Sequence, residues 1–124
     1  MVTKLKNNEE YITYIQNQMT LFFPENELVF CAYHNQINNN FQIGYVLGGI
    51  SIIFTKDRGL MELDITKNGR YPKNYRWEDL YNKGEILKFI PGQSTKFLTI
   101  CCVEIIDYYF YYLKENIDKF EFEE

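Results

Sequence analysis

The sequence has no run approaching the roughly 20 apolar residues of a membrane span. Its opening stretch, MVTKLKNNEEY, holds no apolar core of the kind a secretion signal needs. Together these absences predict a cytoplasmic protein that does not enter a membrane. Histidine and tryptophan occur once each, and cysteine three times, at Cys31, Cys101 and Cys102. An odd count with an adjacent pair excludes a disulfide framework, so reduced thiols are expected. Positive charge is not in excess: 13 Lys and Arg stand against 17 Asp and Glu, giving a formal net charge of −4. That balance excludes the basic footprint of a direct nucleic-acid binder. It suits a basic protein partner. No phosphate loop is present, because VLGGIS (46–51) lacks the Lys-Ser/Thr ending and lies between strand-like segments. Internal repeats, low-complexity tracts and linkers are missing too. The 124 residues therefore read as one domain, 1–124.

What is abundant is apolar and aromatic: 46% of residues are hydrophobic and 18% aromatic, with 11 Tyr and 10 Phe. A chain of this composition can build one core. Asn7 and Glu10 have capping-box spacing, and Ile12, Ile15, Met19 and Phe22 recur at helical spacing before Pro24, which predicts a helix over 8–22. Four strand-like segments follow: ELVFCAYH (27–34), FQIGYVL (41–47), ISIIF (50–54) and LMELDI (60–65). Gly48-Gly49 marks a tight hairpin, and TKDRG (55–59) a second turn with Gly59 taking the special dihedral. RWEDLYNKG (76–84) reads as a short helix, EILKFIPG (85–92) is ambiguous, and a long helix is predicted from Ser94 or Thr95 to about Lys119. The expected fold is α+β: an N-terminal helix, a four-stranded antiparallel meander, and a short and a long C-terminal helix on one face of the sheet.

The last helix raises the functional question, because five aromatic residues stand in a row from Tyr108 to Tyr112. On a helical wheel Leu98, Cys102, Ile105, Tyr109, Leu113 and Phe120 form the apolar stripe, flanked by Ile106 and Ile117. The far side holds Glu104, Asp107, Tyr108, Tyr111, Glu115 and Asp118, and continues into Glu121, Glu123 and Glu124. Either this is a solvated face whose tyrosines shield the sheet or a loop, or it is a protein-binding face. The second reading has Tyr108 and Tyr111 as anchors and the four acids as charge partners. Glu115 and Asp118 lie near the helix's negative end, which costs ~0.3–1 kcal/mol each and hints at another use. The turn tip Lys56-Asp57-Arg58 is a second candidate contact, set against an ordinary role in locking the hairpin.

Candidate chemistry is sparse. His34 and Cys31 point to opposite faces of a strand, and one histidine with vicinal cysteines lacks the paired spacing of a zinc site. Asp57, Glu62 and Asp64 could gather round a divalent metal, as in metal nucleases. The lysine such nucleases carry two residues beyond the acid is replaced here by Asp64. Acids on the wet face of a hairpin explain the pattern better. The expectation is a non-catalytic protein with no cofactor and no metal.

An apolar run, then KDRG (56–59), then alternating LMELDI, then a Trp-Glu-Asp-Leu helix (Trp77 to Leu80) covers roughly residues 41–81. This pattern, in a small acidic α+β chain rich in Asn, Ile, Lys and Tyr, resembles the immunity proteins of bacterial polymorphic toxin systems, including contact-dependent growth inhibition. The resemblance implies a mechanism class rather than residue roles. A cytoplasmic protein of that class binds one cognate toxin domain, often a basic nuclease, and blocks its site. The leading expectation is therefore an immunity or inhibitor protein acting by stoichiometric binding, monomeric or weakly dimeric when free. Three alternatives stand beside it: a phage- or plasmid-encoded inhibitor of a host nucleic-acid-binding complex, a small metal-dependent nuclease using Asp57, Glu62 and Asp64, and an oligomeric module whose tyrosine face pairs with itself.

Overall fold

Asn7 opens the first helix as its spacing predicts. In the computed structural model, which describes residues 2–34, 40–74, 80, 83–89 and 100–123, its side-chain oxygen accepts from the Glu10 amide at 2.9 Å. Glu10 reaches back one residue further than a reciprocal capping box requires, to the Lys6 amide at 2.7 Å. The helix, α1, spans Asn8–Phe22 and buries Tyr11, Ile12, Ile15 and Met19. Asn26 closes its far end by donating to the Phe23 carbonyl at 2.7 Å.

Four strands follow: β1 (Glu27–His34), β2 (Asn40–Leu47), β3 (Ile50–Asp57) and β4 (Leu60–Thr66). They form one antiparallel sheet in sequence order, the expected meander. Both tight turns have positive φ at their two central residues, Gly48 and Gly49 in one, Arg58 and Gly59 in the other. That backbone twist matches the twist of the strands it joins. Phe41, Ile43, Tyr45, Ile52, Phe54, Met61, Leu63 and Ile65 alternate onto the buried face. Gln42, Thr55, Glu62 and Asp64 alternate onto the other face.

Helix α2 (Lys83–Phe89) resolves the ambiguous EILKF segment as helix, and α3 (Val103–Asn116) is the last. The expected start of that last helix at residues 94–95 lies outside the described residues, as does most of the short helix expected over 76–84. Residues 100–102 are described and are not helical. Ile100 bridges to Leu60, and the Cys101 amide donates to the Gly59 carbonyl at 2.8 Å. Those sheet-edge bonds hold the segment extended, so α3 begins at Val103 rather than a turn or more earlier.

Helices α1 and α3 cover the buried face of β2, β3 and β4. Phe110 of α3 stacks on Phe54 of β3 at 5.2 Å and on Phe22 of α1 at 5.9 Å, tying the three elements together. The chain before α1 fastens to the start of α3: the Val103 amide donates to the Thr3 carbonyl at 2.9 Å, and the Thr3 amide donates to Glu104. After α3, Phe120 and Phe122 pack against the core, and Lys73 donates through its amide to the Glu121 carbonyl at 2.6 Å. All three cysteines are free, Cys31 exposed and the other two buried. Among the described residues no helix is long and apolar enough to cross a membrane.

Candidate binding face on the last helix

Seven of the fourteen residues of α3 are buried: Ile105, Ile106, Tyr108, Tyr109, Phe110, Tyr112 and Leu113. The aromatic run is therefore mostly core. Tyr108 corrects the wheel assignment that put it on the outer face. It is 1% exposed, its hydroxyl donates to the Leu80 carbonyl, and Phe89 of α2 packs edge-on to its ring at 5.5 Å. A neighbouring helical segment covers the side of α3 that would otherwise face water.

Two of the predicted acids are also engaged inside the fold. Glu104 accepts from the Thr3 amide. Asp107 accepts from the Tyr14 hydroxyl and, at 3.4 Å, from Gln18, both on α1. Burial, followed by this carboxylate, pushes the Tyr14 phenol well above its ordinary pKa. These acids hold α3 to the N-terminal segment and to α1, so their first use is structural.

What stays open is Tyr111, 45% exposed, with Glu115 one turn on. Phe89 supports the Tyr111 ring at 5.3 Å. Glu115 has no hydrogen-bond or ion-pair partner among the described residues. A cleft of about 300 Å³ lies on one side of this pair, bounded by Asn74, Glu85, Asn116 and Lys119. A second, of about 410 Å³, lies on the other, bounded by Gln18, Phe22, Asp107 and Lys114. Tyr111 and Glu115 line both, so they form a ridge between two grooves. Asp118 is exposed in the turn after the helix. Glu121 and Glu123 are instead drawn against the segment 70–74, Glu123 pairing with Arg70 at 3.7 Å.

Glu85 and Phe89 are members of this face that the sequence reading missed. The signal lies in their spacing of four, which places both on one side of a helix; Pro91-Gly92, following so closely, makes the segment ambiguous in sequence.

The turn tip is less available than expected. The Lys56 ammonium donates to the buried Asn8 side chain at 3.0 Å and lies 5.6 Å from the Tyr11 ring centre. Asp57 accepts from Asn40 at 3.0 Å. Only Arg58 projects, 3.6 Å from the Asp57 carboxylate, with 79% of its side chain exposed. Glu62 and Asp64 share the open face of β4, and Asp64 accepts from the Tyr71 hydroxyl at 3.2 Å. Among the described residues no three His, Cys, Asp or Glu side chains are grouped so as to hold a metal ion. The side chain of His34 lies outside the described residues.

No family model, characterised protein or solved structure matches the chain.

Proposed function

We propose that this chain is a stoichiometric inhibitor of the immunity type, which neutralises a basic toxin domain by binding it. The observation that supports this reading is the Tyr111–Glu115 ridge. A supported, half-exposed tyrosine between two grooves suits an anchor, since it loses little side-chain freedom on binding. Beside it Glu115, unpaired among the described residues, suits a lysine or arginine of the partner, with Asp107 and Glu85, the latter already paired to Lys88 at 2.9 Å, in the flanking grooves. Carboxylates so placed compete for the cleft that a nuclease keeps for phosphates. The site is narrower than the sequence suggested: Tyr111 and Glu115 are its centre, Asp118 its rim, and Tyr108 is excluded by burial.

The test uses wild type and the Tyr111→Ala, Glu115→Lys double variant as baits in the native lysate. The expected result is one basic protein, retained by wild type at one equivalent and lost by the variant, whose activity in isolation falls to zero on titration with wild type. Tyr111→Ala alone should weaken the complex by about 30-fold or more through faster dissociation. Glu115→Lys should act on association, most strongly at low salt. A partner held equally by both baits would remove the interface from α3, and a captured protein whose activity is unaffected would end the inhibitor reading.

A further inference from the structure

The outer edge of β1 presents main-chain donors and acceptors that the sheet does not use. Leu47 and Ile50 flank a two-residue hairpin and exchange both of their main-chain bonds. Alternation then directs Phe41, Ile43 and Tyr45 towards β3, and Asn40, Gln42 and Gly44 towards β1. Their β1 partners are Phe30, Ala32 and His34. The main-chain groups of Cys31 and Tyr33 therefore point away from the sheet. At the opposite edge, β4 is met by Ile100; among the described residues no strand or bridge pairs with the outer edge of β1.

The side chains here are apolar and open. Val29 is 59% exposed, Leu28 50% and Tyr33 46%, and Val29 is the extra residue of a bulge. Edge strands are ordinarily guarded by lysine, proline or brevity. β1 is eight residues long and has neither lysine nor proline, leaving the bulge as its only guard.

Charge indicates what the edge accepts. From Asn7 to Thr55 there is no Lys or Arg, and the acids are Glu9, Glu10, Glu25 and Glu27. The other 13 acids are matched in number by the 13 Lys and Arg. The whole net charge of −4 thus belongs to the stretch that contains β1. Glu25 and Glu27 stand at one end of the strand, and Glu9 is near enough to Tyr33 at the other to act on its phenol. A second copy would bring two such acidic sets together across a two-fold axis. A cationic strand meets opposite charge at both ends.

We propose that the outer edge of β1 accepts an extended cationic segment of a protein partner as a fifth strand, with main-chain bonds at Cys31 and Tyr33 and charge contacts at Glu9, Glu25 and Glu27. This goes beyond the α3 reading and stands independently of it. Because main-chain pairing tolerates many sequences, a generic probe suffices: a peptide alternating Lys and Val, beside one alternating Glu and Val. Amide hydrogen exchange is read residue by residue on the full chain. The Lys-Val peptide should slow exchange at Cys31 and Tyr33 by about tenfold or more and leave Ala32, already paired to β2, unchanged. The Glu-Val peptide should not. Cys31→Pro should abolish the effect, since it removes an outward donor and spares the inward ladder. The Glu25→Lys, Glu27→Lys double variant, which leaves the backbone alone, should reverse the preference between the peptides. Glu115→Lys should leave the β1 response intact, and its loss there would assign the peptide to α3 and overturn the proposal. No protection, equal protection by both peptides, or protection that grows with protein concentration alone would overturn it as well, the last by assigning the edge to a second copy.

Discussion

The Tyr109 hydroxyl donates to the Met61 carbonyl at 2.5 Å from a side chain 1% exposed, whereas the Tyr45 hydroxyl, on a residue 2% exposed, is buried with no partner among the described residues. The same substitution should therefore have opposite consequences at the two positions. Tyr109→Phe strands a buried carbonyl and should cost about 1–2 kcal/mol. Tyr45→Phe removes an unsatisfied polar atom and should be neutral or stabilising by up to about 1 kcal/mol. Urea titrations of the two variants against wild type check the contrast, and equal losses would show that Tyr45 has a partner in solution. Nothing in the residue sequence separates these two phenols, since Tyr109 lies on the apolar stripe of the last helix and Tyr45 within the strand-like segment FQIGYVL. Tyr108 was illegible for a related reason. The wheel sorts residues by angle around their own helix axis, but Tyr108 is buried by Leu80 and Phe89, which another part of the chain delivers.

The start of α3 depends on a distant segment. Its N-cap residue, Cys102, makes no side-chain capping bond, and the work of a cap falls to Thr3, which exchanges bonds with Val103 and Glu104. Deleting residues 1–6 should fray the first turn of α3 and lower stability by about 1–2 kcal/mol, the scale of a lost cap. Faster amide exchange confined to Val103–Ile106 and the first turn of α1 would confirm the local origin; unchanged exchange there would show the strap to be dispensable. This dependence explains which elements could be read in advance. Helix α1 carries its own cap and stop in Asn7 and Pro24, and each central strand carries its alternation and turn, so their limits are written locally. The segment before α3 has helical composition, but its bonds to Gly59 and Leu60 win. Tertiary pairing overrides local propensity there.

Across the molecule, the junction of the N-terminal helix with the chain before α3 is one source of sensitivity to alkali. Burial pushes the Cys101 thiol up to about 12, and the Tyr11 phenol, which donates to the Cys101 carbonyl at 3.3 Å, also to about 12. The folded state keeps these groups protonated while the unfolded chain ionises them, beginning near a thiol's ordinary value of 9.0. Stability from this source is complete below pH 9.0 and falls as pH rises towards about 12. Chemical denaturation across that range should show the loss, and Cys101→Ala, compared with its own neutral-pH value, should lessen the part that begins near pH 9.0. A slope unchanged in that variant would place the sensitivity elsewhere. With a thiol reagent at neutral pH, Cys31 should react in the folded state and the buried pair only on unfolding.

The two helices that cover the sheet come from opposite sides of it in the sequence, α1 before β1 and α3 after β4. Among themselves the four strands pair only with sequence neighbours, so the meander can form early and locally during synthesis. Its inner face cannot be closed until residues 103–116 have left the ribosome, when Phe110 reaches Phe54 and Val103 reaches Thr3. The nascent chain therefore carries a half-covered apolar sheet until that helix has emerged. Closure then joins segments about a hundred residues apart in one late step.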